Sequence, residues 1–255
     1  MLDKLILIGA SKGIGRKFLE TYCSNAIEIL AISSSDKIYE LEKLSKNIEI
    51  IKIDISNISV FEVAFRNWMS KKSWNSPQNI GLVCFASTLG NPGGIDKFNY
   101  QSYQNLLNCN LLSHLSIISL LKKKINNLNS FRVVMLGGGG AAYGYPEFFS
   151  YSLSKVAVIR AVENIGQEFI RDKLNASIIA LAPGAVDTDM LQKVIANGGH
   201  IKTKTDINEP IAFINKFLLD IINSRSLNGR FIHVRDDLSK ILKQKKDLFM
   251  LRRIE

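Results

Sequence analysis

Lys4-Leu5-Ile6-Leu7-Ile8-Gly9-Ala10-Ser11-Lys12-Gly13-Ile14-Gly15 joins an unbroken apolar run to a glycine-spaced turn, and a helical pattern follows. A run of consecutive apolar residues reads as a strand covered on both faces. Where such a strand turns into a helix, glycine lets backbone approach a pyrophosphate with no Cβ in the way. The helix N-terminus adds free N–H groups and a positive dipole end. Gly9, Ser11, Lys12, Gly13, Ile14 and Gly15 are therefore the first candidate cofactor-binding residues. The spacing is GxxxGxG, and its position straight after the first strand points to a nucleotide site.

Outward from this turn, short apolar runs alternate with helical patterns to the end of the chain. Strands are expected at 4–8, 27–32, 48–53, 80–85, 132–136, 177–181 and 230–234, and helices at 14–23, 58–71, 100–126, 149–173 and 209–224. That alternation predicts an α/β fold: a doubly wound, Rossmann-type parallel sheet of about seven strands with helices on both faces, an αβα sandwich. No linker, composition shift or internal repeat divides the 255 residues, so one domain is expected over 1–255.

Composition narrows the function classes. Hydrophobic residues make up 46% and charged residues 22%, as in ordinary globular proteins. No apolar run approaches the roughly 20 residues of a membrane-spanning helix, and the strand at Lys4 is expected to leave no room for a cleavable leader. Cys23, Cys84 and Cys109 show no metal or CxxC spacing, and they fit buried thiols in a reducing cytoplasm. His114, His200 and His233 are scattered, so no metal site is expected. The net charge of +10 is spread along the chain, densest in a basic tail over 238–255. It reads as general solvation with some attraction for a phosphorylated cofactor, not as a nucleic-acid surface.

Tyr151-Ser152-Leu153-Ser154-Lys155 places a tyrosine and a lysine four apart on one helix face. A neighbouring ammonium stabilises phenolate and is expected to lower the tyrosine pKa, which suits a proton donor to a carbonyl under reduction. Alone, the pair would read as an ordinary surface pair. Together with the glycine turn it resembles the short-chain dehydrogenase/reductase family, over about residues 3 to 235.

The resemblance implies roles along the chain. Asp54, with Ile55 after it, ends the third strand where the family sets an aspartate against the adenine amine. Val83-Cys84-Phe85-Ala86-Ser87 fills the slot of the family's VNNAG, with both asparagines and the glycine replaced, and makes Ala86 and Ser87 cofactor candidates. Asn110 matches the asparagine that orders a relay water. Pro183-Gly184-Ala185-Val186-Asp187-Thr188 follows PGxVxT, whose backbone near Val186 and Thr188 hydroxyl would hold the nicotinamide carboxamide. Tyr151, Lys155 and Asn110 are thus the implied catalytic set, with Tyr151 and Lys155 also touching cofactor. The implied function is hydride transfer between a nicotinamide and a carbonyl or alcohol. The family's pairing of its fourth and fifth helices between subunits implies a dimer or tetramer, through apolar residues such as Leu107, Leu111, Leu115 and Ile118.

One departure bears on the chemistry. The family carries a serine 12 to 14 residues before the tyrosine, and here those positions are Gly139, Gly138 and Gly137. Either consecutive glycine N–H groups polarise the substrate oxygen instead, or the chain binds cofactor as a regulatory or scaffold protein with altered chemistry. At the end of the second strand Ser33 and Ser34 stand where an acid would select NAD, and Lys12 lies in the glycine turn. NADP(H) is expected over NAD(H), with Asp36 close by. A substrate lid is expected over 189–208, with Gly198-Gly199 as hinges. His200, Lys202 and Lys204 suit an anionic substrate there, and Tyr145 is a candidate wall residue.

Overall fold

The computed structural model describes residues 1–74, 77–126, 129–201 and 203–243. The strands in chain order are β1 (Leu2–Ile8), β2 (Ala26–Ser33), β3 (Ile48–Lys52), β4 (Asn79–Cys84), β5 (Ser130–Leu136), β6 (Ala176–Ala182), two short strands β7 (Ala185–Val186) and β8 (Lys204–Thr205), and β9 (Arg230–His233). The helices are α1 (Gly13–Tyr22), α2 (Ile58–Ser70), α3 (Tyr100–Leu107), α4 (Ser113–Lys122), α5 (Gly139–Ala142), α6 (Phe149–Arg171), α7 (Asp189–Ala196), α8 (Asn208–Leu218) and α9 (Leu238–Lys243).

Seven strands form one parallel sheet in the order β3-β2-β1-β4-β5-β6-β9. The apolar runs do what a doubly covered sheet requires. Ile6 and Ile8 of β1 enter the core that also holds Phe61, Phe65 and Phe169 of α2 and α6, whereas Leu5 and Leu7 enter the core with Phe18 and Phe217 of α1 and α8. The sheet is thus the middle layer of three. Chain order reverses between β1 and β4, and their register pairs Ile8 with Cys84. The crevice of such a sheet opens there, beyond the carboxyl ends of the strands.

Several elements depart from the sequence reading. The helix expected over 100–126 runs without interruption from Tyr100 to Lys122, with a π-helical turn over Asn108–Leu112 joining α3 to α4. The helix expected over 209–224 stops at Leu218, because Asp220 and Asn223 adopt φ of 59° and 52°, a left-handed backbone that ends a helix. Asp36–Lys43, where no element was expected, is a 3-10 helix whose N-cap is Ser35. Leu111 and Ile118 are 8% and 3% exposed, covered by the chain's own core, so these two do not form a free interface stripe. Among the described residues no helix is long and apolar enough to cross a membrane. The basic tail lies outside the described residues from 244 onward.

Candidate active site

Three strand ends meet at the crevice. Gly9 takes φ +92°, and its N–H bonds the Ile32 carbonyl at 2.7 Å. A Cβ there would fall 2.4 Å from the Ala86 nitrogen, so only glycine lets β1 turn against the chain leaving β4. Gly15 is fixed similarly, since its Cβ would meet the Gly9 carbonyl at 2.3 Å. Both glycines therefore serve close protein packing and shape the turn. Helix α1 begins after it with no acidic residue in its first turn and no side-chain cap. Its first N–H groups remain for an anion. Beside it the Ser87 hydroxyl is buried with no partner. An uncapped helix start and an orphaned buried hydroxyl fit the phosphates and ribose of a dinucleotide.

The other cofactor candidates gather around this turn. Ser11 and Ser33 share a hydrogen bond of 2.7 Å between their hydroxyls, which ties the turn to the end of β2. Ser34 is exposed beside them. Asp36 is engaged by Lys52 from the end of β3, a partner that sequence reading did not supply because the pairing crosses two strands. Lys12 lies 3.9 Å from Asp189 at the start of α7, and both are exposed. Asp54 is exposed and accepts from the Ser56 N–H at 2.9 Å, while Ile55 is buried.

The segment after β6 reaches the same place. The Thr188 methyl carbon lies 3.4 Å from where a Gly13 Cβ would be. The Thr188 hydroxyl caps α7, accepting from the Leu191 N–H at 3.4 Å and donating to the Val186 carbonyl at 3.3 Å. Pro183 and Gly184 lead into β7, and Gly184 takes φ +77° against Thr205, where a Cβ would sit 2.0 Å from its hydroxyl. Pairing of β7 with β8 pins the base of the expected lid. Gly198, at φ +82°, and Gly199 close α7 as a C-cap, bonding back to Ile195 and Val194. They end the helix inside the segment expected as a lid. His200 is exposed, Lys204 pairs with Asp187 at 3.5 Å, and Lys202 lies outside the described residues.

The Tyr151–Lys155 pair lies in the first turns of α6, under the end of β5. Lys155 is buried, and its Nζ donates to the Leu136 carbonyl at 2.9 Å and lies 5.5 Å from the Tyr151 ring centroid. Burial holds Lys155 down at about 8. Tyr151 does not show the expected lowering. Burial first, and then the Tyr145 phenol, pushes it up, while the ammonium lies over the ring.

Asn110 sits in the π-helical turn, a distortion frequent at functional sites. Its side chain clasps Thr88 from both sides, accepting from the backbone N–H at 2.8 Å and donating to the carbonyl at 2.9 Å. It also donates to the Ser154 hydroxyl at 3.1 Å, which ties α6 to the segment after β4. Thr88 and Ser154 are structural partners that sequence reading passed over, although Ser154 lies inside the YxxxK motif. His114, one turn beyond, is buried and held near 3 by burial and by Lys155.

The glycine run separates into distinct positions. Gly137 still belongs to the sheet edge, donating to the Leu181 carbonyl at 2.8 Å, and its Cβ would strike the Phe231 ring. Gly138 faces the site, since its Cβ would lie 3.4 Å from the Tyr151 hydroxyl. Gly139 looks into open space. Tyr145 stacks on the buried Phe148 at 4.8 Å and meets Gly199 at the end of α7.

Comparison with known proteins agrees with this frame. The chain is 23% identical over 195 residues to a benzil reductase, (S)-benzoin forming, of Bacillus cereus, covering 74% of this chain and 78% of that protein. It is 22% identical over 228 residues to a farnesol dehydrogenase of Aedes aegypti, covering 82% and 88%. Among solved structures, ElxO with NADP bound superposes at a TM-score of 0.75 with 19% identity, covering 92% and 97% of the two chains. A 4-hydroxyisoleucine dehydrogenase complexed with NADH and succinate superposes at 0.76 with 17% identity, covering 90% and 96%. The family model for short chain dehydrogenases matches residues 4–198, and the chain belongs to that family.

Proposed function

We propose that this chain is an NADP(H)-dependent oxidoreductase acting on a small carbonyl or alcohol substrate, with Tyr151 as its acid and base. The observation that carries the reading is the Tyr151 hydroxyl beside Gly138, one helical turn from buried Lys155, at the sheet edge where α1 starts uncapped. A bound nicotinamide supplies or accepts the hydride. The chain's own residues do the rest. Tyr151 gives its proton to the carbonyl oxygen in reduction and takes it back in oxidation. Lys155 would hold the ribose and, when charged, draw the phenol toward ionisation. Asn110 would keep the α6 start and the Thr88 segment in register, with its turn ordering a relay water. Thr188 and the backbone near Val186 would receive the carboxamide.

Preference for NADP(H) is supported by serines in place of an acid at the end of β2, by the engagement of Asp36 with Lys52, and by Lys12 in the turn. Three free cysteines fit a reducing cytoplasm. Anionic character in the substrate has smaller support, from exposed His200 and from Lys204, already paired with Asp187. A second reading, cofactor binding without turnover, is favoured by the lack of a side-chain donor at Gly138 and by the upward push on Tyr151. The test is NADPH oxidation against a carbonyl panel that includes benzil, NADP reduction against farnesol, and cofactor binding by calorimetry in parallel. Turnover of a panel member supports the enzyme. Tight binding with no turnover supports the second reading.

A further inference from the structure

We propose that the Tyr145 phenol donates the second hydrogen bond to the substrate oxygen, in place of the side chain that Gly138 lacks. The inference rests on the oxidoreductase reading and adds a catalytic residue to it. A developing oxyanion beside one proton donor is better stabilised by a second, preorganised one. The backbone at Gly138 approaches Tyr151 closely enough for a side chain there to flank the hydroxyl, yet it has none. Of two nearby hydroxyls, that of Ser154 is engaged, donating to the Tyr151 carbonyl at 2.7 Å. That of Ser152 is buried without a partner and faces Gly140, whose Cβ would lie 3.0 Å from its oxygen.

Tyr145 is differently placed. Its ring is held on Phe148, whose N–H bonds the Tyr145 carbonyl at 3.0 Å, so the phenol is carried on a fixed turn. Its hydroxyl stands 2.5 Å from where a Gly199 Cβ would be, so glycine at the end of α7 is what makes room for that oxygen. Its phenol is also an electrostatic neighbour of Tyr151. Tyr145, four residues before the start of α6, thus presents its hydroxyl at the cap of α7. In reduction the carbonyl carbon gains a hydride and the oxygen gains the Tyr151 proton. Tyr145 keeps its own proton throughout and only donates a hydrogen bond.

Tyr145→Phe keeps the ring on Phe148 and removes the donor. It is to be compared with wild type and Tyr151→Phe on the same panel, with NADPH affinity and melting temperature measured for each. The expected result is a fall in kcat/KM of about 10²–10³ for Tyr145→Phe, carried mainly by kcat, with NADPH affinity and melting temperature unchanged. A purely packing role predicts that Phe serves as well as Tyr. A fall below tenfold in Tyr145→Phe, while Tyr151→Phe is inactive, overturns this inference and leaves the oxidoreductase reading standing. A wild type without turnover on the panel, or a Tyr151→Phe as active as wild type, overturns the oxidoreductase reading and this inference with it.

Discussion

Gly138 and Gly139 are neighbours with different tolerance for a side chain. Gly138 holds φ +151°, a conformation that costs an L-residue about 1–3 kcal/mol, whereas Gly139 has open space around it. Gly138→Ser should therefore lower stability in urea by about 1–3 kcal/mol without raising turnover, and Gly139→Ser should be close to neutral. A stable and faster Gly138→Ser would mean that the loop can accept the family's serine and that the chain has simply lost it. Lys155 makes a second residue-scale prediction. Its pKa is lowered by burial from 10.5 to about 8, so the folded state binds fewer protons than the unfolded state between those values. The cost to stability is therefore complete below about 8 and shrinks as pH rises toward 10.5. Removing it in Lys155→Met should stabilise the protein at neutral pH by about 1–3 kcal/mol, after loss of the Leu136 hydrogen bond, while abolishing activity. Urea unfolding at pH 7 and pH 10 should show that advantage shrinking at the higher pH.

Among the elements, those that pack by simple pattern were legible in the sequence and those set by remote contact were not. The strand at 4–8 could be read because both faces of β1 are covered, leaving an uninterrupted apolar run. The helix read over 100–126 was right in direction but hid the π-helical turn, since Asn110 is drawn to Thr88 and Ser154 across the fold. The Gly198-Gly199 pair reads in the sequence as lid hinges, and its part in ending α7 shows only in the bond from the Gly199 N–H to Val194. Tyr145 could be named as a wall residue, yet its meeting with Gly199, far along the chain, carries no local signal. Cofactor choice belongs to this scale, because it is made where the first turn and β2 end together. NADPH should bind at least tenfold more tightly than NADH in calorimetric titration. Ser34→Asp should narrow or reverse that ratio by placing an acid where the 2′-phosphate would lie. Tighter NADH binding in the wild type would reverse the assignment.

For the whole molecule, we expect a dimer or tetramer. The face that the sequence suggested is largely used by the chain itself, but α6 leaves Leu153 at 41% and Val156 at 36% exposed. Light scattering at micromolar concentration should give at least a dimer, and Leu153→Arg with Val156→Arg should shift it toward monomer. A monomeric wild type would count against assembly. The glycine turn of β1, the π-helical turn before α4, the start of α6 and the cap of α7 come from distant parts of the chain. The sheet brings them to one crevice, and the central claim is that Tyr151 does proton chemistry there. Its most direct test is NADPH oxidation by wild type and Tyr151→Phe on the carbonyl that wild type turns over fastest. The account predicts a steep loss of turnover in Tyr151→Phe, with NADPH affinity nearly unchanged. Equal turnover by the two proteins would contradict it.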